Sequence, residues 1–355
     1  MSPKNQKTVI LGMSGGVDSS VSARLLLEQG FAVRGVYMRN WSKDLPSMKC
    51  PWARDLADAK RVATTLGIPF EVWDFEKEYF SSVVEPMLEA YKQGETPNPD
   101  VLCNQTIKFD VFARKALESG ADFVATGHYA RVNECGELLT AKDETKDQTY
   151  FLYRVSSDIL QKTLFPLGNL LKSEVKQIAY ENKLDVVNKK ESMGVCFVGE
   201  ANLKEFLSEY LPPETFKSGR FIDADTGETV GYNDGAIFYT VGQRHGLYIP
   251  SDLPYYVCDK DLSSGNVFLT KNLNNPNLWV KSLSLKNLHA ISGSELPSGK
   301  YLARTRHQAP LIEAEFDGNN KIIFNEEIKA VSAGQSVVFY DLNQEKCLGG
   351  GIVNG

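Results

Sequence analysis

Seven consecutive residues, Ser14-Gly15-Gly16-Val17-Asp18-Ser19-Ser20, form the densest group of chemically useful side chains and backbone in the chain. Two adjacent glycines let a backbone turn tightly and bring its N–H groups close to a ligand. Val9, Ile10 and Leu11 before them make a short apolar run suited to a strand buried on both faces. Val21, Leu25 and Leu26 after them recur at helical spacing. A helix N-terminus placed after such a turn favours an anion, through unpaired N–H groups and aligned peptide dipoles. The hydroxyls of Ser14, Ser19 and Ser20 add donors, so the expected ligand is a phosphate. No lysine occurs between Lys7 and Lys43, which excludes the G-x-x-x-x-G-K-[ST] loop.

A second group lies in Gly94–Phe109. Pro97 and Pro99 remove backbone donors and break regular structure, then deliver Asp100 and Cys103 three residues apart onto one face of a helix. A cysteine near a helix N-terminus has its thiolate favoured by the dipole. Asp100 beside it opposes ionisation unless it shuttles a proton. A buried structural cysteine is the other reading of the same residues. The third group is Lys189–Gly199, in which Cys196 sits in a short apolar run flanked by glycines. Taken alone, Cys196 reads as a packed strand residue, and it matters with Cys103 only where the fold joins them.

The elements that must hold these groups follow from the pattern. Strands are expected at 9–11, 31–37, 70–75 and 123–126, with helices at 55–66, 79–91 and 108–118 between them. Alternation of this kind implies crossover connections and a mostly parallel sheet, whose ligands sit beyond the strand carboxyl ends. After about residue 200 the pattern changes to short strands around an Asp-Thr-Gly turn at 219–230, continuing in β style over 235–240. From 273 onward short alternating runs at 301–306, 312–316, 322–324, 336–340 and 348–353 predict a small antiparallel barrel. The expected fold class is therefore α/β. Its parts are a parallel-sheet domain over 1–199, a small central mixed or β domain over 200–272, and a C-terminal antiparallel β-barrel over 273–355.

Composition narrows the function classes. With 355 residues, 42% hydrophobic and 24% charged, the chain is an ordinary globular protein of two or three domains. No apolar run approaches the ~20 residues of a membrane span, and the N-terminus MSPKNQK has no apolar signal core. Six cysteines without a CxxC pair argue against a disulfide framework and a zinc site. A cytoplasmic location is expected, with the mitochondrial matrix as the alternative. The net charge of −6 counts against an extended surface coated with nucleic acid. The acidity is concentrated in residues 200–272, with 6 Lys/Arg against 11 Asp/Glu.

The stretch 14–19 resembles the SGGxDS signature of the N-type ATP pyrophosphatases, or PP-loop enzymes. Taken with TPNPDVLCN, ATGHYAR (125–131), KDQTYFL (146–152), FPLG (165–168), KKESMGVCFVGE, YTVGQRHGL (239–247), AGQSVVFY (333–340) and CLGGGIV (347–353), it makes nearly the whole chain resemble the tRNA 2-thiouridylases. The resemblance implies an enzyme that uses ATP to adenylylate O2 of the wobble uridine and then replaces that oxygen with sulfur. Gly12, Met13, Ser14, Gly15, Gly16, Val17, Asp18 and Ser19 would hold the phosphates of ATP and Mg²⁺-bound pyrophosphate. Met38 and Gly127 would complete the nucleotide site. Cys196 would receive a persulfide from a sulfur-carrier protein or cysteine desulfurase. Cys103 would release that sulfur or assist its direct attack, with Asp100 as acid/base. Asn98, Pro99 and Asp100 would meet the target base. His128, Lys146, Asp147, Gln148, Arg306, His307 and Gln335 would contact the anticodon stem-loop, and the central α+β part over 200–272 would be a linker that also contacts tRNA. An iron–sulfur cluster on Cys103, Cys196 and a third ligand is the less favoured alternative. Two other functions remain compatible with the loop: a synthetase adenylylating a small molecule, and a tRNA-binding or redox-sensing protein that binds nucleotide without chemistry.

Overall fold

The computed structural model describes residues 6–46, 49–187, 189 and 203–355. The strand expected at Val9–Leu11 is β1 (Thr8–Gly12). It is followed along the chain by β2 (Ala32–Arg39), β3 (Phe70–Asp74), β4 (Phe123–Ala125), a short hairpin of β5 (Arg131–Val132) and β6 (Leu138–Leu139), and β7 (Thr163–Leu164). A five-stranded parallel sheet forms in the order β3-β2-β1-β4-β7, with β1 central. Side chains alternate across it. Ile10, Val36, Trp73 and Val124 face a core completed by Val83, Met87 and Phe112. Val9, Leu11, Val33 and Ala125 face the other, with Val21, Leu26, Val175 and Ala179. Burial on both faces explains why β1 reads as an unbroken apolar run.

The helices over 52–66 and 76–92 stand close to where periodicity puts them. The one expected from Lys108 begins instead at Pro99 and runs through π-helical turns, Asn104–Phe112, to Glu118. A proline in the first helical turn forfeits only an N–H that has no partner there. Asn98 caps this start, its Oδ1 accepting from Asp100 N at 3.1 Å and Val101 N at 3.3 Å.

Beyond residue 203 lies a second sheet of β8 (Gly219–Asp223), β9 (Thr229–Asn233), β10 (Tyr256–Asp261) and β11 (Asn266–Thr270), ordered β10-β11-β8-β9. The β conformation expected over 235–240 is not formed. Asn233 Oδ1 accepts from Gly235 N at 2.9 Å, and Ala236–Phe238 is a 3₁₀ turn. The barrel strands are β12 (Trp279–Ala290), β13 (Gly299–Arg304), β14 (Ile312–Phe316), β15 (Lys321–Lys329), β16 (Ser336–Tyr340) and β17 (Lys346–Val353). They close as β12-β15-β14-β13-β16-β17, with β12 pairing back onto β17. The long β12 is absent from the sequence reading. The β5–β6 hairpin adds to β17, with Lys346 opposite Leu139 and Cys347 opposite Leu138. Among the described residues no helix is long and apolar enough to cross a membrane.

The segment Glu95–Asp100 is where the three parts meet. Thr96 N donates to Ala333 O of the barrel at 2.7 Å, and Thr96 Oγ1 lies 3.2 Å from Thr240 Oγ1 of the middle part. Glu95 pairs with Lys286. Gly334, at φ +87°, makes room: a Cβ there would stand 2.9 Å from Glu95 Cβ and 3.0 Å from Thr96 N. Gly334→Ala is therefore expected to lower stability by about 1–2 kcal/mol from the left-handed backbone alone. Urea unfolding with an unchanged m-value would register that loss, and a midpoint equal to wild type would contradict it.

Candidate functional site

The loop from Met13 to Gly16 leaves the carboxyl end of β1, beside β4, where the sheet changes direction of growth. That crevice is the usual ligand position in open parallel sheets. The helix Val17–Glu28 opens at Gly16, which supplies no side-chain cap. The N–H groups of Val17, Asp18 and Ser19 thus have no acceptor inside the helix. Gly15 has φ +74°, and a Cβ on it would lie 2.2 Å from Asp55 O, so only glycine fits where the loop rests on the neighbouring helix Trp52–Leu66. Gly127, beyond β4, lies flat on the same helix start: a Cβ there would stand 2.9 Å from Ser19 N. Met38, near the end of β2, covers the root of the loop, its Cε 2.9 Å from where a Gly12 Cβ would be.

Several expected contacts are redistributed. Met13 N donates to Val36 O at 2.8 Å and its side chain is buried, so neither group is offered to a ligand. The Val17 side chain belongs to the core. Ser20 Oγ donates to Gly16 O at 2.8 Å and is fully buried. Ser19 Oγ donates to the same carbonyl at 3.2 Å and accepts from Ser14 N at 3.2 Å. Those two serines therefore shape the turn, and the exposed Ser14 joins them, its Oγ 3.3 Å from Ser19 Oγ and accepting from Gly16 N at 3.4 Å.

Two lysines come to the loop: Lys172, which no motif singles out, and Lys189, which opens the third group but has no role assigned there. Lys172, the first residue of the helix Lys172–Glu181, donates from Nζ to Asp18 Oδ1 at 2.7 Å and Oδ2 at 2.9 Å. Tyr129 OH also donates to Asp18 Oδ1, at 3.0 Å. Lys189 Nζ donates to Gly15 O at 3.1 Å, Asp55 Oδ1 at 2.7 Å and Asp58 Oδ2 at 2.6 Å. The sequence signal for Lys172 is slight: a lysine opening an amphipathic helix, at the end the helix dipole makes unfavourable for a cation.

Asp100 and Cys103 share the helix Pro99–Cys103 as their spacing requires. Asp100 is partly buried, and desolvation raises its carboxyl pKa above the ordinary value, opposed by the positive charge of Lys108. Lys108 Nζ lies 3.5 Å from His128 Nε2, and His128 Nδ1 is 2.8 Å from Thr126 Oγ1. Desolvation and then Lys108 push the His128 pKa well down, so its ring is neutral at pH 7. Cys103 is buried in the core with Ile10, Val36 and Phe112. It stands in the second turn, beyond the N–H groups Asn98 caps, so the dipole argument made from sequence weakens there. Pro99 is buried, and Asn98 is committed to capping. Cys196 lies outside the described residues. Among the described residues no group of three or more His, Cys, Asp or Glu is placed to hold a metal.

The residues expected to touch RNA divide. Asp147 is buried, accepting from Ala141 N at 2.9 Å and Thr149 Oγ1 at 2.6 Å. Gln148 Oε1 accepts from Tyr129 N at 2.9 Å. Both side chains tie their loop to the sheet. Lys146, Arg306, His307 and Gln335 gather along the seam with the barrel. Gln308 Nε2 donates to Thr145 O at 2.6 Å, the His307 ring lies 4.5 Å from that of Phe151, and Arg306 Nη2 donates to Ala330 O at 3.2 Å. The 330–335 loop that receives Arg306 also holds Thr96.

Comparison with known proteins covers nearly the whole chain. Residues 7–200 match the family model described as tRNA methyl transferase HUP domain, 204–271 the tRNA methyl transferase PRC-barrel domain, and 280–353 the aminomethyltransferase beta-barrel domain. The chain is similar to the tRNA-specific 2-thiouridylase MnmA of Bacillus subtilis, at 43% identity over 98% of this chain and 94% of that protein. It is 44% identical, with the same coverage, to the protein of that name from Listeria welshimeri. A solved 4-thiouridine synthetase–RNA complex with bound ATP aligns at TM-score 0.36 and 16% identity, covering 57% of this chain and 50% of that one.

Lys172 cancels the one carboxylate in the first turn of the anion-binding helix. Lys172→Met leaves Asp18 facing the incoming phosphates, and binding of a non-hydrolysable ATP analogue is expected to weaken about ten- to a hundredfold. That corresponds to a hydrogen bond involving charged groups. Calorimetric titration showing wild-type affinity would remove Lys172 from the site.

Proposed function

The chain belongs to the tRNA-specific 2-thiouridylase family, and on that premise we propose that it thiolates the wobble uridine of tRNA after adenylylating O2 with ATP. The observation that carries the ATP half is the uncapped helix start at Val17 beside Gly15, Gly16 and Gly127. Such a cradle holds phosphates by backbone N–H groups and the helix dipole. Mg²⁺ on the departing pyrophosphate would neutralise its charge. An unactivated carbonyl oxygen is a poor leaving group, whereas AMP leaves readily, so phosphate chemistry must precede sulfur transfer.

The sulfur half rests on Cys103, Asp100 and Cys196. A persulfide on Cys196, delivered by a sulfur-carrier protein or cysteine desulfurase, supplies sulfur without free sulfide accumulating. In one route the Cys103 thiolate attacks the inner sulfur of that persulfide. A Cys103–Cys196 disulfide forms, hydrosulfide leaves and attacks C2 of the adenylylated base, and AMP is expelled. In the other route the terminal persulfide sulfur attacks C2 first, AMP leaves, and Cys103 then cleaves the S–S bond to free the thiolated base. Both end in the same disulfide, which an external thiol must reduce. Asp100, with its raised pKa, is suited to carry a proton between these steps. Cytoplasmic location accords with thiol chemistry that needs a reducing environment.

A small-molecule synthetase would need the loop alone. Cys103→Ser and Cys196→Ser are each expected to abolish 2-thiouridine, read by mass analysis of tRNA nucleosides, while AMP release in the presence of tRNA persists. Wild-type thiolation by both variants would sink the proposal, and AMP release driven by a small substrate and indifferent to tRNA would favour a synthetase.

The pH dependence follows from Asp100. Activity that needs its carboxylate is complete above its raised pKa and declines as pH falls through it, at a higher pH than an exposed aspartate would produce. Lys108→Met removes the cation that opposes this rise, so the acidic limb of kcat/KM should move to still higher pH. A limb unmoved by that substitution would show that Asp100 does not govern it.

A further inference from the structure

The motif Thr240–Leu247 is not explained by nucleotide or sulfur chemistry, yet its loop is pinned on both sides of Arg244. Thr240 N donates to Gln243 Oε1 at 3.0 Å, and Gln243 Nε2 donates to His245 O at 2.9 Å. Gly242 N donates to Val257 O at 2.8 Å and Val257 N to Gln243 O at 3.0 Å, which fastens the loop to β10. Gly242 at φ +85° and Gly246 at φ +78° turn the chain on either side. Arg244 and His245 are left exposed at the tip.

The position of this tip distinguishes it. A Cβ on Gly242 would stand 3.2 Å from Arg306 Nη2 of the barrel, so the two guanidinium-bearing segments are neighbours. The root of the loop is joined to the Thr96–Asp100 stretch through Thr240 Oγ1 and Thr96 Oγ1. Residues 200–272 are acidic, and their other cations are mostly spent. Lys204 pairs with Asp234 and Lys271 with Asp252. Lys217 bonds Ser263 O, and Lys260 bonds Tyr239 O. Among the described residues, only Arg244 and Arg220 of this part have no hydrogen bond or ion pair from their side chains, and Arg220 lies on strand β8 rather than on this loop.

The geometry points to Arg244 as the phosphate-binding residue through which the middle part holds the tRNA strand that enters beside Arg306. This rests on the tRNA reading of the site. A guanidinium on a loop already fixed in shape loses little freedom on engaging a phosphate, and such contacts set position rather than sequence preference. An acidic protein partner is the competing occupant of the same arginine.

The test is equilibrium binding of unmodified substrate tRNA to the full chain across a salt series. Each phosphate contact adds about 0.7–0.9 to the slope of log affinity against log salt, or about a threefold loss between 50 and 200 mM. Arg244→Gln should flatten the slope by about that amount and bind more weakly at low salt. Arg244→Lys should keep the slope, and Arg220→Gln should match wild type. A wild-type slope for Arg244→Gln overturns the assignment and leaves the protein-partner alternative. Equal flattening by Arg220→Gln also overturns it, by reducing the effect to net charge. Wild-type protein that thiolates tRNA yet shows an unchanged Arg244→Gln slope loses only this inference, whereas wild type that neither binds nor thiolates tRNA loses the parent reading as well.

Discussion

The nucleotide site depends on one local deficit: the first N–H groups of the helix Val17–Glu28 are left without a cap. Gly16 occupies the cap position and has nothing to offer them. An exposed helix end with free donors is ordinary; what matters here is that it is immovable. Val9, Ile10 and Leu11 of β1 are fully buried, each side chain contributing roughly 1.5–3 kcal/mol. The loop is pressed onto the neighbouring helix at Gly15 and covered by Gly127. Donors held in this way need no reorganisation to meet a phosphate, which is what electrostatic preorganisation requires.

Charge at this end is nearly balanced rather than strongly positive. Asp18 in the first turn favours the helix dipole but repels phosphate, and Lys172 offsets it from a separate helix. Lys189 is shared between Asp55 and Asp58 and reaches the Gly15 carbonyl. A lysine-bearing phosphate loop places a mobile cation on the ligand. Here the cations stabilise the protein side of the contact, and the phosphate is left to the backbone. That division explains why Ser19 and Ser20 turn inward: their hydroxyls hold the Gly16 carbonyl and so fix the direction of the following N–H groups.

What could be seen in the sequence and what could not divide along the range of the interactions. The strand, turn and helix at 9–26 are local, and their periodicities change where the structure changes. The barrel strands at 312–316 and 336–340 are equally local, with one face alternating against the core. β12 was missed because Asn287, at positive φ, and a register shift break its alternation. The helix at 99–118 looks shorter in sequence than it is, because proline breaks a helix interior but Pro99 stands in the first turn of this one. Lys172, Lys189 and Lys108 were invisible for another reason. Their roles come from residues 154, 174 and 20 positions away respectively, and no spacing rule carries that information. Asp147 and Gln148 illustrate the converse, since a charged run that reads as solvated or ligand-facing is in fact spent on the Ala141, Thr149 and Tyr129 backbones and side chains.

The stretch proposed to meet the base obeys a different constraint from the phosphate cradle. The phosphate cradle is built within one sheet and its helices, so it can be complete without the rest of the chain. The stretch Glu95–Asp100 cannot. Its backbone is held by Ala333, its threonine faces Thr240, and its glutamate is paired with Lys286. Three parts of the chain therefore define where Asp100 and Cys103 stand relative to the loop, and their buried clusters run across the joins, as where Cys103 packs with Phe206 and Val101 with Val338. Tyr150 and Tyr153 repeat the arrangement at Ser336, with hydroxyl contacts of 3.0 and 3.2 Å. A large RNA substrate laid across this seam would touch the same segments that position Asp100 and Cys103. Binding energy spread over the barrel and the middle sheet would then act on the geometry of Asp100 and Cys103, so a displaced middle or barrel part would disturb a pair of side chains that it does not itself carry.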